Sequence, residues 1–180
     1  MKKVIYKFIW NYEKEEQWLN EMADQGWGLS RFCAGRYTFE SSEQGKYRYR
    51  IELLQNGPKD PKSRSYLQFL KDAGITCIAT SFNWVYLRKI AADGPFNMYS
   101  DIDSKITHYK RVNRLWMTLM VAELIVAVSN LLIGFDVQRL SWVNFSSCIL
   151  LFILSGIFAC LCVGLTRKIK RLESERIVHE

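Results

Sequence analysis

The sequence predicts an α+β chain: a small sheet domain over residues 1–98, then a pair of membrane-spanning helices. Three observations carry this reading. Residues 1–98 alternate charged with apolar and aromatic positions, two nearly charge-free stretches follow, and basic residues flank those stretches on their outer sides. The net charge of +7 divides into +4 over 1–98, +2 over 99–114, −1 over 115–166 and +2 over 167–180. An excess spread in this way argues against a single nucleic-acid patch, because much of it has a membrane explanation.

The elements follow in order. Residues 3–10 alternate apolar and charged and read as a strand. Asn11 is placed to cap a helix whose Trp18, Leu19, Met22 and Ala23 share a face, and Gly26 ends it. Residues 27–40 and 46–54 read as strands joined by a polar turn at 41–45. The run NGPKDP at 56–61 makes a turn, with Asp60 as the next cap and Pro61 at the first helical position. Tyr66, Leu67, Phe69 and Leu70 give that helix its apolar side, and Gly74 closes it. Residues 75–80 and 84–90 supply the last strands, as one bent strand or a tight hairpin through 81–83.

Strand, helix, strand, strand, helix, strand is the split βαβ order of ferredoxin-like domains, in which both helices cover one sheet face. The other face then stands open. If Tyr47, Tyr49, Ile51 and Leu53 meet the helices, Arg48 and Arg50 occupy the open side. One side of residues 84–89 carries Trp84, Tyr86 and Arg88, so an aromatic and basic surface is expected there, for a small ligand, a protein partner or single-stranded RNA. RNA is the weakest of these, since the aromatic RNA-binding signature is missing. The competing reading is ordinary: exposed sheet faces carry arginine, and aromatic residues belong to cores.

The segment FIWNYEKEEQWLNEMADQGWGL, with YTFE at 37–40, KYRYRIEL at 46–53 and NWVYLRK at 83–89, resembles an uncharacterised bacterial family, domain of unknown function 2812. The resemblance covers residues 5–100, and the element at 18–27 is its most distinctive piece. It implies transmembrane helices after the domain, as in many members. It also implies a regulatory or stress-sensing setting, because members are often encoded beside PadR-like transcriptional regulators. No activity or catalytic residue comes with it.

Residues 115–135 hold one charge and residues 140–166 none, and each run is long enough for a helix to span a bilayer core of about 30 Å. The short connector at 136–139 makes the two helices antiparallel neighbours. Lys105, Lys110, Arg111 and Arg114 precede the first, and Arg167, Lys168, Lys170 and Arg171 follow the second. The positive-inside rule then puts both ends, the basic linker 99–114 and the tail 167–180 in the cytoplasm of a two-span protein of the cell membrane. The first ten residues are too broken by Lys7 for a signal peptide, so the N-terminus is expected inside as well. Within the spans, Gly156, Cys160 and Gly164 make a smooth stripe suited to close helix contact. Glu123 lies near mid-membrane with Asn130 on roughly its own face; it reads either as a proton- or cation-linked site or, better, as a hydrogen-bonded glutamate joining helices. Both features point to a homo-oligomer in the lipid bilayer.

Catalytic signatures are missing. His108 and His179 lack Cys or His neighbours at ligand spacing, and Cys33, Cys77, Cys148, Cys160 and Cys162 form neither a disulfide framework nor a zinc site. No phosphate-binding loop, dinucleotide fingerprint or serine elbow occurs. Glu13, Glu15 and Glu16 sit in a helix's first turns, where the dipole favours carboxylates. No enzyme, metal or cofactor is therefore expected.

Overall fold

The computed structural model describes residues 1–99, 101–136 and 142–179, which form two compact units, Met1–Met98 and Tyr99–Glu180. The first unit runs β1 (Lys2–Tyr6), α1 (Tyr12–Asp24), β2 (Trp27–Cys33), β3 (Arg36–Ser41), β4 (Tyr47–Leu53), α2 (Pro61–Asp72), β5 (Thr76–Ser81) and β6 (Trp84–Ile90). Both helices start as the sequence predicts. Asn11 accepts from the Glu13 and Lys14 amides, and Asp60 accepts from the Lys62 amide ahead of Pro61.

The ferredoxin-like order gives way to a different one. There are two antiparallel three-stranded sheets, β1-β3-β2 and β4-β6-β5, instead of one four-stranded sheet. Residues 27–40, read from the sequence as one strand, break at Ala34 and Gly35. Both have positive φ (45° and 79°), the twist that a two-residue hairpin turn needs. The alternative of a tight hairpin at 81–83 is the one realised, with Phe82 at φ 51°.

Strand, helix, strand, strand thus occurs twice, and the copies agree in detail. The helices end at Asp24 and Asp72, 48 residues apart. Gly26 and Gly74 then turn with φ of 84° and 81°. A bulge falls between Leu29 and Arg31 in one copy and between Cys77 and Ala79 in the other. The inward pairs Tyr37 with Phe39 and Val85 with Leu87 are buried at matching positions.

Packing joins the copies into one unit. Leu19, Met22 and Ala23 of α1, Leu29, Tyr37 and Phe39 of the first sheet, and Tyr49, Ile51 and Tyr86 of the second form the main core. A smaller core under α2 joins Leu70, Val85, Leu87, Leu54 and Phe96.

The second unit is an antiparallel pair, α3 (Ile102–Asp136) and α4 (Trp142–His179), each containing a span long and apolar enough to cross a membrane. Trp116 stacks on Phe158, the Asn113 amide donates to Thr166, and ion pairs Lys110–Glu173 and Asp103–Arg176 continue the pair beyond the apolar spans. The turn expected at 136–139 lies outside the described residues from 137 onward, as do residues 140 and 141.

Candidate functional site

Strand pairing decides the fate of the surface expected around β4 and β6. Arg48 and Arg50 lie opposite Lys89 and Leu87, and so share one face with them. Trp84, Tyr86 and Arg88 lie opposite Leu53, Ile51 and Tyr49, on the other face. The five residues therefore do not form one surface. Arg48 pairs with Asp24; Arg50 pairs with Glu16 and donates its Nε to the Phe96 carbonyl at 3.0 Å. Tyr86 is core, Trp84 packs against Tyr12, and Arg88 lies over the Tyr47 ring.

The Asp24–Arg48, Glu16–Arg50 and Tyr12–Trp84 contacts belong to the seam between the two copies. Along the outer edge of β4, Asn20 accepts from the Tyr49 amide at 2.9 Å and donates to its carbonyl at 3.2 Å, while Glu16 accepts from the Ile51 amide at 3.0 Å. Helix α1 thus caps strand groups that would otherwise recruit another chain. Burial pushes the Glu16 carboxyl up, against the opposing pull of the Ile51 amide and Arg50.

Deeper in, Glu15 is 7% exposed, and its Oε1 accepts from the hydroxyls of Tyr37 and Tyr86, each at 2.7 Å. One carboxylate oxygen thereby links α1 to both sheets. Burial raises the Glu15 carboxyl above its ordinary range and outweighs the two phenols, which by themselves favour the charged form. Both phenols are held well above their usual range, by burial first and by the carboxylate second, and stay protonated donors. Phe32 packs against both rings, and Trp18 stands edge-on to Tyr37. The dipole reading of Glu15 missed this, since the two phenols lie 22 and 71 residues away in sequence.

The open aromatic and basic face lies on the first sheet instead. The β1-β3-β2 register sets Val4, Thr38 and Arg31 in one row and Tyr6, Arg36 and Cys33 in the next, all facing away from the core. Val4 and Tyr6 are 44% and 76% exposed, and Phe8, at 74%, follows β1 and lies beside Trp10 with ring centroids 5.3 Å apart. Lys2 pairs with Glu40 at one end. Neither Arg31 nor Arg36 forms an ion pair among the described residues.

In the helical pair, Cys148, Ser155, Phe158, Cys162, Leu165 and Ile169 are the buried positions of α4. A methyl group added at Gly156 or Gly164 would meet nothing within 4 Å, and Cys160 is exposed, so the small-residue stripe does not face α3. Among the described residues, Oε2 of Glu123 is buried without a hydrogen bond. Asn130 donates to the Val126 carbonyl on its own helix. No group of three metal-ligating side chains occurs among the described residues.

The chain is thus an α+β protein with two helices long and apolar enough to cross a membrane. The chain belongs to the family described as Protein of unknown function (DUF2812), whose pattern matches residues 11–121 and so runs on into α3. No curated protein and no solved structure matches it.

Proposed function

We propose that the chain is a membrane-anchored binding protein, a sensor or adaptor that catalyses no reaction, whose N-terminal unit presents its first sheet to a partner on the cytoplasmic side. The observation that carries this reading is the outward face of the first sheet, with Tyr6, Arg31 and Arg36 and the exposed Phe8 after it, on a chain that also holds two helices of spanning length. Basic residues at 105–114 and 167–171 support the orientation, with both helix ends inside. The test is labelling of intact cells with a membrane-impermeant thiol reagent, read against the wild-type chain. Gln138→Cys should be labelled and Asp60→Cys should not. The reverse pattern would invert the orientation, and an unanchored chain would end the membrane reading.

One observation favours a second reading, a small oligomeric membrane or transport component. Among the described residues, Glu123 has a buried oxygen without a hydrogen-bond partner, and the stripe of Gly156, Cys160 and Gly164 does not face α3. Complementation of a deletion strain separates the two. Loss with Glu123→Gln and no loss with Arg31→Gln plus Arg36→Gln would move the function into the span. The residues expected to carry membrane-localised RNA binding do not share one surface, because the pairing register splits Arg48 and Arg50 from Trp84 and Tyr86.

A further inference from the structure

We propose that the outer face of the β1-β3-β2 sheet docks on an anionic lipid surface, so that the N-terminal unit lies against the membrane that anchors it. This deepens the reading of a membrane-anchored binding protein and rests on it. Of the eight large hydrophobic residues exposed in the first unit, five (Met1, Val4, Tyr6, Phe8 and Trp10) fall within the first ten residues, and of these Val4 and Tyr6 stand on the outer face of the sheet, with Phe8 and Trp10 directly after β1. Tyrosine, tryptophan and phenylalanine with arginine is the side-chain set that settles at a lipid headgroup boundary, rings toward the acyl chains and guanidinium groups toward phosphate.

Charge selects among the possible occupants. Arg31 and Arg36 stand in the same rows as Val4 and Tyr6, so the face offers positive charge that no ion pair among the described residues neutralises. A second copy is a poor partner. Face-to-face pairing would set these arginines against their own copies, and the helix left open for head-to-tail pairing, α2, carries Lys62, Arg64 and Lys71 against a single Asp72. The corresponding face of the second sheet already shows what cover by protein looks like. There, Tyr49, Ile51 and Tyr86 are buried in the main core, and the matching positions of the first sheet are Lys2, Val4 and Thr38. Lysine and threonine in place of tyrosine make that face unfit for a dry protein core and suited to a wet, charged boundary.

Hydroxyl-radical footprinting of the full chain, one copy per nanodisc, tests this through side-chain oxidation of Tyr6 and Phe8. In discs containing one-third phosphatidylserine, their oxidation should fall at least three-fold relative to phosphatidylcholine discs, while Phe69 and Phe82 stay unchanged. The protection should vanish in high salt and in Arg31→Gln plus Arg36→Gln, whose Phe69 and Phe82 signals report that the fold is intact. Equal oxidation in both lipids would overturn the proposal and leave the face to an acidic protein. Protection that requires two copies per disc, whatever the lipid, would overturn it in favour of self-association. A chain that stays soluble without lipid or detergent would instead refute the anchoring reading beneath it.

Discussion

The two strand-helix-strand-strand copies share a plan and differ in how it is covered. In the second copy the sheet is buried on both faces, with Tyr49, Ile51 and Tyr86 on one side and Val85 and Leu87 on the other. In the first copy only the side carrying Tyr37 and Phe39 is buried, and the opposite side exposes Val4 and Tyr6. Their helices differ in the complementary way: α1 serves its own sheet and the edge of β4, whereas α2 serves its own sheet alone. Helix α1 thus brings Glu15, Glu16 and Asn20 to the junction between copies, beside the direct contact of Phe32 with Tyr86 from sheet to sheet. The difference teaches that a duplicated unit, joined in tandem, leaves one sheet face without internal cover, and interactions with other molecules are expected there.

The largest expected effect strikes that junction at its centre. Glu15→Ala removes the acceptor of two buried phenols and leaves a cavity, a loss of about 3 kcal/mol or more. Glu15→Gln keeps a carbonyl oxygen for both hydroxyls and should stay within about 1 kcal/mol of wild type at neutral pH. Urea unfolding of the full chain in mild detergent, followed by tryptophan fluorescence, measures both. An alanine variant as stable as the glutamine variant would show that Glu15 does not hold the copies together.

A smaller effect sharpens the comparison between the helices. Asn20→Ala leaves the amide and carbonyl of Tyr49 without their side-chain partner at the β4 edge, which costs about 1–3 kcal/mol. Its counterpart Gln68, 48 residues on, bonds Asp72 on its own exposed helix surface, so Gln68→Ala should cost no more than about 0.5 kcal/mol. Equal losses at the two sites would mean that α2 has a partner of its own and that the asymmetry between the copies is filled in by another molecule.

Part of this was legible in the sequence. Spanning helices follow from composition along a single stretch, and the caps Asn11 and Asp60 and the prolyl start at Pro61 are local signals. Pairing is not local. The alternation of Arg48 and Arg50 against Tyr49 and Ile51 was readable, but the side on which Trp84, Tyr86 and Arg88 fall depends on a register between strands about 35 residues apart. The duplication did leave a trace, WLNEMADQG at 18–26 against YLQFLKDAG at 66–74, with leucine, aspartate and glycine in common. The two-residue turn at Ala34 and Gly35 was masked because strong strand formers flank it on both sides, so periodicity alone ran through it.

The smallest effect concerns pH, and it separates the charge of Glu15 from its hydrogen bonds. Burial raises its carboxyl above the ordinary value of 4.5, so the folded chain holds the proton more tightly than the unfolded chain does. The stabilisation from that proton is fully present below 4.5 and is lost as pH rises through the raised folded value, beyond which the buried charge is a constant cost. Glutamine at this position is neutral throughout and has no such loss. The stability of Glu15→Gln relative to wild type should therefore be flat at low pH, rise through the window above 4.5 and level off once pH passes the raised folded value. Glu16 is also raised by burial, and because it is intact in both proteins its contribution cancels from the difference. Urea midpoints of the two proteins, taken from pH 4 to pH 8, give the curve directly. A difference that falls with pH would mean that the folded state favours the ionised carboxylate, and that the two phenols outweigh the burial of the charge.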